Sequence, residues 1–241
     1  MRSIMSKFYT QFLFLINRRV TREKSKRKIF CIGLHKTGTT SIAEFAKRHG
    51  FKTIHSTDWS HDSRKIEKFE FFCDGGSHFD DDNEFDFKGL FYDHPNSLFI
   101  LQTRDTKSWA VSKLKHAGWD EKTLVEPDSE IKINHADWKY KSLLTIERLV
   151  RHKYNYERKV INFFEENDPY RLLIIDIVSK KSQMSDLARL VDFWELKSIT
   201  LRPSLPHKNK TRHKGGLSKE VLAFLDKMIA DCELERSDKF V

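Results

Sequence analysis

The sequence predicts an α/β fold in which a central, mostly parallel sheet is flanked by helices. Short apolar runs alternate with helical patterns along the chain, and no internal repeat interrupts this order. Several of the runs are apolar throughout, which is typical of strands that are buried on both faces. The length of 241 residues suits one domain of this kind with a full core. We therefore predict a single α/β domain over 28–241, preceded by a basic N-terminal arm over 1–27.

The individual elements follow from these patterns. The apolar runs that predict strands lie at 28–33, 51–55, 69–73, 98–103 and 171–178. Residues at helical spacing predict helices over roughly 39–49, 105–116, 136–166, 185–193 and 218–232. Gly50 is suited to end the first helix, and Asp105 is suited to cap the second. Ligands on parallel sheets bind beyond the carboxyl ends of the strands, so we look for a site there.

The formal net charge of +9 favours an anionic partner. Basic residues cluster at 18–28 and again at 208–214. No motif that reads RNA or DNA accompanies them, so we predict no nucleic-acid partner. The apolar run at 8–16 is too short to span a bilayer. It predicts a helix that either packs on the domain or rests, with the basic residues up to 28, on an anionic membrane. We expect a cytoplasmic protein, with peripheral membrane contact through 8–28 as the alternative.

The cysteines and the acidic stretch predict neither a disulfide scaffold nor a metal site. The sequence has 3 cysteines and no CxxC pair, and Cys31 and Cys73 fall in strand-like runs that predict burial. The acidic stretch 78–87 predicts a loop. It lacks the ligand spacing and the central glycine of a calcium-binding EF-hand. We therefore predict that no metal is bound.

The segment 33–40, GLHKTGTT, has the glycine spacing of a phosphate-binding loop between a strand and a helix. An ATP-binding loop reads GxxxxGK[ST]. Here the lysine position holds Thr39, and the lysine lies inside the loop at Lys36. Backbone N–H groups at the start of a helix still favour an anion. We expect a shorter anion than a triphosphate, held by the residues of the loop, which are His35, Lys36, Thr37, Gly38, Thr39, Thr40 and Ser41.

The stretch HKTGTTS resembles the 5′-phosphosulfate loop of the PAPS-dependent sulfotransferases, in particular the subgroup with TGTTS loops. PAPS is 3′-phosphoadenosine 5′-phosphosulfate. The run LFILQTRDTKSWAVS adds a second likeness, a strand that ends in Arg with Ser eight residues later, at Arg104 and Ser112. In that family this pair holds the 3′-phosphate. An arginine offers a planar fork suited to phosphate.

The resemblance reaches from about residue 28 to 216 and implies a three-layer, P-loop NTPase-like fold. It also implies a basic C-terminal loop over the nucleotide. The candidate residues of that loop are Lys208, Asn209, Lys210 and Arg212. Many family members carry a tryptophan after the loop threonines, which stacks on adenine. This chain has Ser41 there, so adenine needs another ring, for which Trp59 and the phenylalanines are candidates, and the choice is left open.

The resemblance implies transfer of a sulfuryl group from PAPS to a hydroxyl or amine acceptor without a metal, which leaves adenosine 3′,5′-bisphosphate. Lys36 is the expected charge-neutralising residue. As the base we consider Asp74 first, then His78, then His55, because acidic residues or histidines fill this role in the family. The acceptor, whether carbohydrate, lipid or small molecule, is left open. Two alternatives stay open as well: a P-loop small-molecule kinase, and a non-catalytic sulfotransferase-like protein that binds polyanions.

Overall fold

A computed structural model describes residues 27–75, 85–119, 143–181, 183–194 and 216–237 of the chain. These residues form two compact units. The first unit contains the described residues between 27 and 103 and between 167 and 194. The second contains those between 104 and 166 and between 216 and 237.

The first unit is built on a five-stranded sheet in which every pair of neighbours is parallel. The strands are β1 (Ile29–Cys31), β2 (Thr53–His55), β3 (Phe71–Cys73), β4 (Leu98–Gln102) and β5 (Leu172–Ile175). Their spatial order is β2-β3-β1-β4-β5. The predicted α/β class with a parallel sheet and all the predicted strands are confirmed.

Helices follow the strands largely as predicted. They are α1 (Thr39–Arg48), α2 (Ser63–Lys68), α3 (Phe87–Asp93), α4 (Thr106–His116), α5 (Leu143–Asn167), α6 (Gln183–Phe193) and α7 (Lys219–Ser237), with short 3₁₀ helices at Trp59–His61 and Pro169–Arg171. The first part of the predicted 136–166 helix lies outside the described residues. In the described ranges, no helix has the length and apolar run needed to cross a membrane.

The helices α2 and α3 are not predicted by the sequence patterns. They have 6 and 7 residues, too few to show a helical period, and each begins at an aspartate cap, Asp62 or Asp86. The prediction that Phe87 closes an acidic loop is wrong, because Phe87 is the first residue of α3. Residues 78–84 of that predicted loop lie outside the described residues.

Helix α1 ends as its sequence predicts. The N–H of Gly50 donates to the Lys47 carbonyl (3.1 Å) and that of Phe51 to the Ala46 carbonyl (3.2 Å), a Schellman pattern. This pattern requires a left-handed residue after the cap, and Gly50 has φ 89°. Lys47 and Arg48 in the last turn favour the negative end of the helix dipole.

The two faces of the sheet differ in composition because successive strand residues point to opposite sides. One face packs under α1 and α6 and uses mainly aliphatic side chains and cysteines, such as Ile29, Cys31 and Ile100. The other face, which we call the aromatic face, carries Phe30 and Phe72, whose ring centroids are 4.9 Å apart. Both faces of the sheet are therefore covered, as its apolar strands predict.

Arg171 joins several segments at the start of the sheet. Its guanidinium donates to the carbonyls of Ser97 (2.9 Å), Phe91 (3.1 Å) and His94 (2.8 Å) and to the Ser97 hydroxyl (3.0 Å). It also lies 3.8 Å from the Phe91 ring centroid. Partial burial lowers the pKa of Arg171, and the charge of Asp168 opposes this shift in part. The side chain therefore fixes the end of α3 and the entry to β4 against β5.

The strand order distinguishes the carboxyl ends of β1 and β4 from the other strand ends. From β1 the chain crosses through α1 to β2, whereas from β4 it eventually reaches β5 on the opposite side. Adjacent strands whose connections leave in opposite directions form a topological switch point, where ligands of such sheets bind. The loop after β1 lies at this point.

We predict that Arg171→Met lowers the free energy of unfolding by about 2–4 kcal/mol, because buried carbonyls lose a charged donor. Urea unfolding measures this change. The matched control is Arg64→Met. Arg64 is 90% exposed and pairs with Asp62, so its loss should cost less than about 1 kcal/mol. Equal losses in the two variants would contradict the role given to Arg171.

Candidate active site

The loop between β1 and α1 has the backbone shape of an anion site. Lys36 has φ 72° and Gly38 has φ 100° with ψ 18°, and helical geometry begins at Thr39. A left-handed residue followed by a right-handed one turns successive N–H groups towards a common point. The positive end of the α1 dipole lies there as well. The loop therefore presents backbone donors to an anion.

Gln102, the last residue of β4, holds the start of this loop. Its Oε1 accepts a hydrogen bond of 3.0 Å from the Gly33 N–H, and its side chain is fully buried. A Cβ on Gly33 would lie 2.1 Å from the Gln102 carbonyl oxygen. No other residue type fits this close approach of two backbones. Glycine is therefore required at position 33 because the loop packs closely against the end of β4.

Thr37 and Gly38 complete the loop by packing inward. Thr37 is fully buried, and its hydroxyl donates to the Leu34 carbonyl at 2.5 Å. The expectation that this hydroxyl donates to a ligand is therefore wrong, because it braces the loop instead. A Cβ on Gly38 would lie 3.0 Å from Ile177 and 3.2 Å from Val178, just beyond β5. These contacts hold the loop against β5.

Asp74 lies beside the loop because β3 and β1 are neighbours and parallel. Its Oδ1 accepts a hydrogen bond of 3.0 Å from the Thr39 hydroxyl. Asp74 has φ 65°, and within the described residues it and Lys36 are the two non-glycine residues with positive φ. Such a conformation costs on the order of 1–3 kcal/mol and is concentrated at functional sites. Both strained residues belong to one cluster.

Trp59 and Gly75 support the conformation of Asp74. The Trp59 indole N–H donates to the Cys73 carbonyl at 2.9 Å. A Cβ on Gly75 would lie 2.3 Å from the indole ring. The prediction that Trp59 is a candidate for stacking on adenine is wrong, because its side chain is fully buried between Phe30, Phe72 and Phe85 on the aromatic face. The tryptophan instead fixes the backbone on both sides of Asp74.

Two histidines flank the Asp74 carboxylate. His35 Nε2 lies 3.9 Å from Oδ1, and His55 Nε2 lies 3.8 Å from Oδ2. His55 Nε2 is also within hydrogen-bonding distance of the hydroxyls of Thr39 (3.2 Å) and Thr40 (3.3 Å). The side chains of His35, His55 and Asp74 are each about a fifth exposed, at 17%, 26% and 21%. A ligand can therefore reach them from solvent.

The predicted 3′-phosphate pair belongs to the second unit. Arg104 and Ser112 are both half-buried, and Ser112 lies on α4. Asp105 caps this helix as predicted, since its carboxylate accepts from the Ser108 N–H at 2.8 Å. That hydrogen bond, aided by the charges of Lys153 and Arg104, lowers the pKa of Asp105. The cap fixes where α4 begins, immediately after Arg104.

Of the other predicted site residues, the structure describes Ser41 but not His78 or the basic C-terminal loop. Ser41 is in the first turn of α1, where its N–H donates to the Gly38 carbonyl at 2.9 Å. The base candidate His78 lies outside the described residues. So do the basic-loop candidates, which are Lys208, Asn209, Lys210 and Arg212. Their roles stay predictions.

Sequence reasoning missed Gln102, because a polar residue at the end of an apolar strand is common and gives no specific signal. His55 is a candidate but ranks last among the bases, although β2 brings it to the loop hydroxyls. Its rank depends on the pairing of β2 in the sheet, which the sequence does not show.

Comparison of the chain with protein-family models and with curated proteins found no match.

We predict that Gly33→Ala lowers the free energy of unfolding by about 2 kcal/mol or more, because the new methyl meets backbone that cannot move cheaply. The control is Gly118→Ala. Gly118 has φ 82°, but a Cβ there would meet nothing within 4 Å. It should cost only about 1 kcal/mol of backbone strain. Chemical denaturation compares the two, and a smaller loss for Gly33→Ala would contradict the packing account.

Proposed function

We propose that the chain is a PAPS-dependent sulfotransferase that transfers a sulfuryl group to a hydroxyl or amine acceptor. The observation that carries this proposal is the loop itself. Its lysine is at a left-handed position before the helix, and a carboxylate lies beside the helix start. Its fold and backbone donors support binding of a phosphate. The position of Lys36 and the resemblance of the motifs support a phosphosulfate.

The proposed reaction is an in-line displacement at sulfur. The acceptor oxygen forms a bond to sulfur as the bond between sulfur and the bridging oxygen of the 5′-phosphate breaks. The acceptor loses its proton to a base, and the bridging oxygen keeps its electron pair in adenosine 3′,5′-bisphosphate. The protein must therefore bind developing negative charge at one end and take a proton at the other.

The first unit offers groups for both tasks. Lys36 and the N–H groups at the start of α1 would neutralise charge on the bridging oxygen and the sulfuryl oxygens. Asp74 Oδ1 already accepts from Thr39, and Oδ2 has His55 Nε2 at 3.8 Å. We therefore assign the proton acceptor to Oδ2 of Asp74. The resemblance implies that Arg104 and Ser112 would bind the 3′-phosphate of the nucleotide.

We predict that Lys36→Ala abolishes sulfuryl transfer from radiolabelled PAPS to an acceptor found by screening. The fold should persist, because a half-exposed loop side chain is removed and alanine carries a similar left-handed cost. Lys47→Ala is the matched control, since Lys47 lies on the last turn of α1, is 44% exposed and pairs with Glu44. Unchanged turnover in Lys36→Ala would overturn the assignment of the loop.

Asp74→Asn should lower turnover by about 10²-fold or more while leaving nucleotide affinity nearly unchanged. The amide oxygen can still accept from Thr39, so the loop keeps its shape, but the proton acceptor is lost. Pre-steady-state transfer and nucleotide titration separate the two effects. A normal transfer rate would exclude Asp74 as the base and leave His78 and His55.

A small-molecule kinase is the second candidate, and one observation favours it. A carboxylate beside a loop hydroxyl is the pair that holds Mg²⁺ in P-loop NTPases. The carboxylate here bonds to Thr39, which stands at the position of the missing lysine, and not to Thr40. Thermal stabilisation by Mg²⁺-ATP, without stabilisation by adenosine 3′,5′-bisphosphate, would favour the kinase. The polyanion-binding alternative depends on a basic arm that lies almost entirely outside the described residues.

A further inference from the structure

His55 occupies a place that the proposed reaction does not explain. It is the last residue of β2, the edge strand of the described sheet, and its ring reaches across to the start of α1. One nitrogen, Nε2, lies 3.2 Å from the Thr39 hydroxyl oxygen and 3.3 Å from that of Thr40. Two consecutive hydroxyls of the loop therefore share one imidazole nitrogen.

The hydrogen of the Thr39 hydroxyl favours one tautomer of the His55 ring. A threonine hydroxyl has a single hydrogen. That of Thr39 is donated to Asp74 Oδ1 at 3.0 Å. A hydrogen bond between Thr39 and His55 must therefore be donated by the ring, which requires a proton on Nε2. The same proton faces Thr40, whose oxygen can accept it as well.

We propose that His55, with Nε2 protonated, is a positioning residue that orients the hydroxyls of Thr39 and Thr40 at the phosphate loop. A donor chain runs from His55 to Thr39 to Asp74. It holds the Thr39 side chain against Asp74 and directs a lone pair of the Thr40 oxygen towards the His55 ring. Both hydroxyls are thereby fixed at the start of α1, where the Thr40 hydroxyl would meet an anion bound in the loop. As a statement about nucleotide binding, this inference rests on the proposed function.

The first test does not depend on any ligand. Nitrogen-15 NMR of the histidine rings at about pH 8.5, where an imidazole is ordinarily neutral, distinguishes the two tautomers. We expect a protonated Nε2 and an unprotonated Nδ1 for His55, assigned by comparison with His55→Gln. In Asp74→Asn the preference should persist, because the amide oxygen can still accept from the Thr39 hydroxyl. An unprotonated Nε2 in the unaltered protein would overturn the proposal, whether or not the protein binds PAPS.

The second test uses calorimetry with adenosine 3′,5′-bisphosphate. His55→Leu should weaken binding by about tenfold, the usual worth of one hydrogen bond that orients a donor to a charged group. His55→Gln places an amide N–H near the position of Nε2 and should restore affinity to within about threefold of the unaltered protein. His61→Leu, which changes an exposed histidine outside the cluster, is the matched control. Equal loss in the Leu and Gln variants would overturn a positioning role.

Thr40→Val completes a double-mutant cycle. If His55 acts through Thr40, then adding His55→Leu to Thr40→Val should weaken nucleotide binding by less than about threefold. Full additivity would contradict the proposal. A protein that binds no adenosine 3′,5′-bisphosphate at all, but shows the protonated Nε2, would refute the sulfotransferase function and still support the orientation of the two threonines by His55.

Discussion

The hydrogen bond from the Thr39 hydroxyl to the Asp74 carboxylate joins the first residue of α1 to the residue after β3. It exists because β1 and β3 are parallel neighbours, so that the segments following them leave the sheet on the same edge. The phosphate-binding loop begins on one side of this bond, and the strained Asp74 lies on the other. His35 and His55 flank the same carboxylate. Loss of the β1–β3 register would separate all of these groups, since a shift of one residue also exchanges the two faces of each strand.

Buried contacts explain how strained backbone persists beside this bond. Left-handed conformations at Lys36 and Asp74 are unfavourable by themselves. They are compensated by buried contacts on either side, with Gln102 against Gly33 and Trp59 against Gly75. These contacts use side chains that are fully buried. The loop and Asp74 are therefore packed against the core on one side, while the side chains of His35, His55 and Asp74 stay partly exposed on the other.

Much of the fold was predictable, because apolar strands and the caps of α1 and α4 are local signals. The spacing of the glycines and Lys36 likewise predicted the loop. The sequence could not show that Trp59 is buried beneath Asp74, because burial of an aromatic ring depends on tertiary packing. It could not rank His55, whose role depends on where β2 pairs in the sheet. Nor could it predict α2 or α3, which are too short to show a period.

We propose that this loop binds the 5′-phosphate of a 3′-phosphorylated nucleotide and not a magnesium-bound triphosphate. Calorimetric titration of the full chain with adenosine 3′,5′-bisphosphate, in the presence of a chelator, tests this most directly. We expect saturable binding at one site, with a dissociation constant that Mg²⁺ does not change. Binding of ATP that requires Mg²⁺, with no heat from adenosine 3′,5′-bisphosphate, would contradict it.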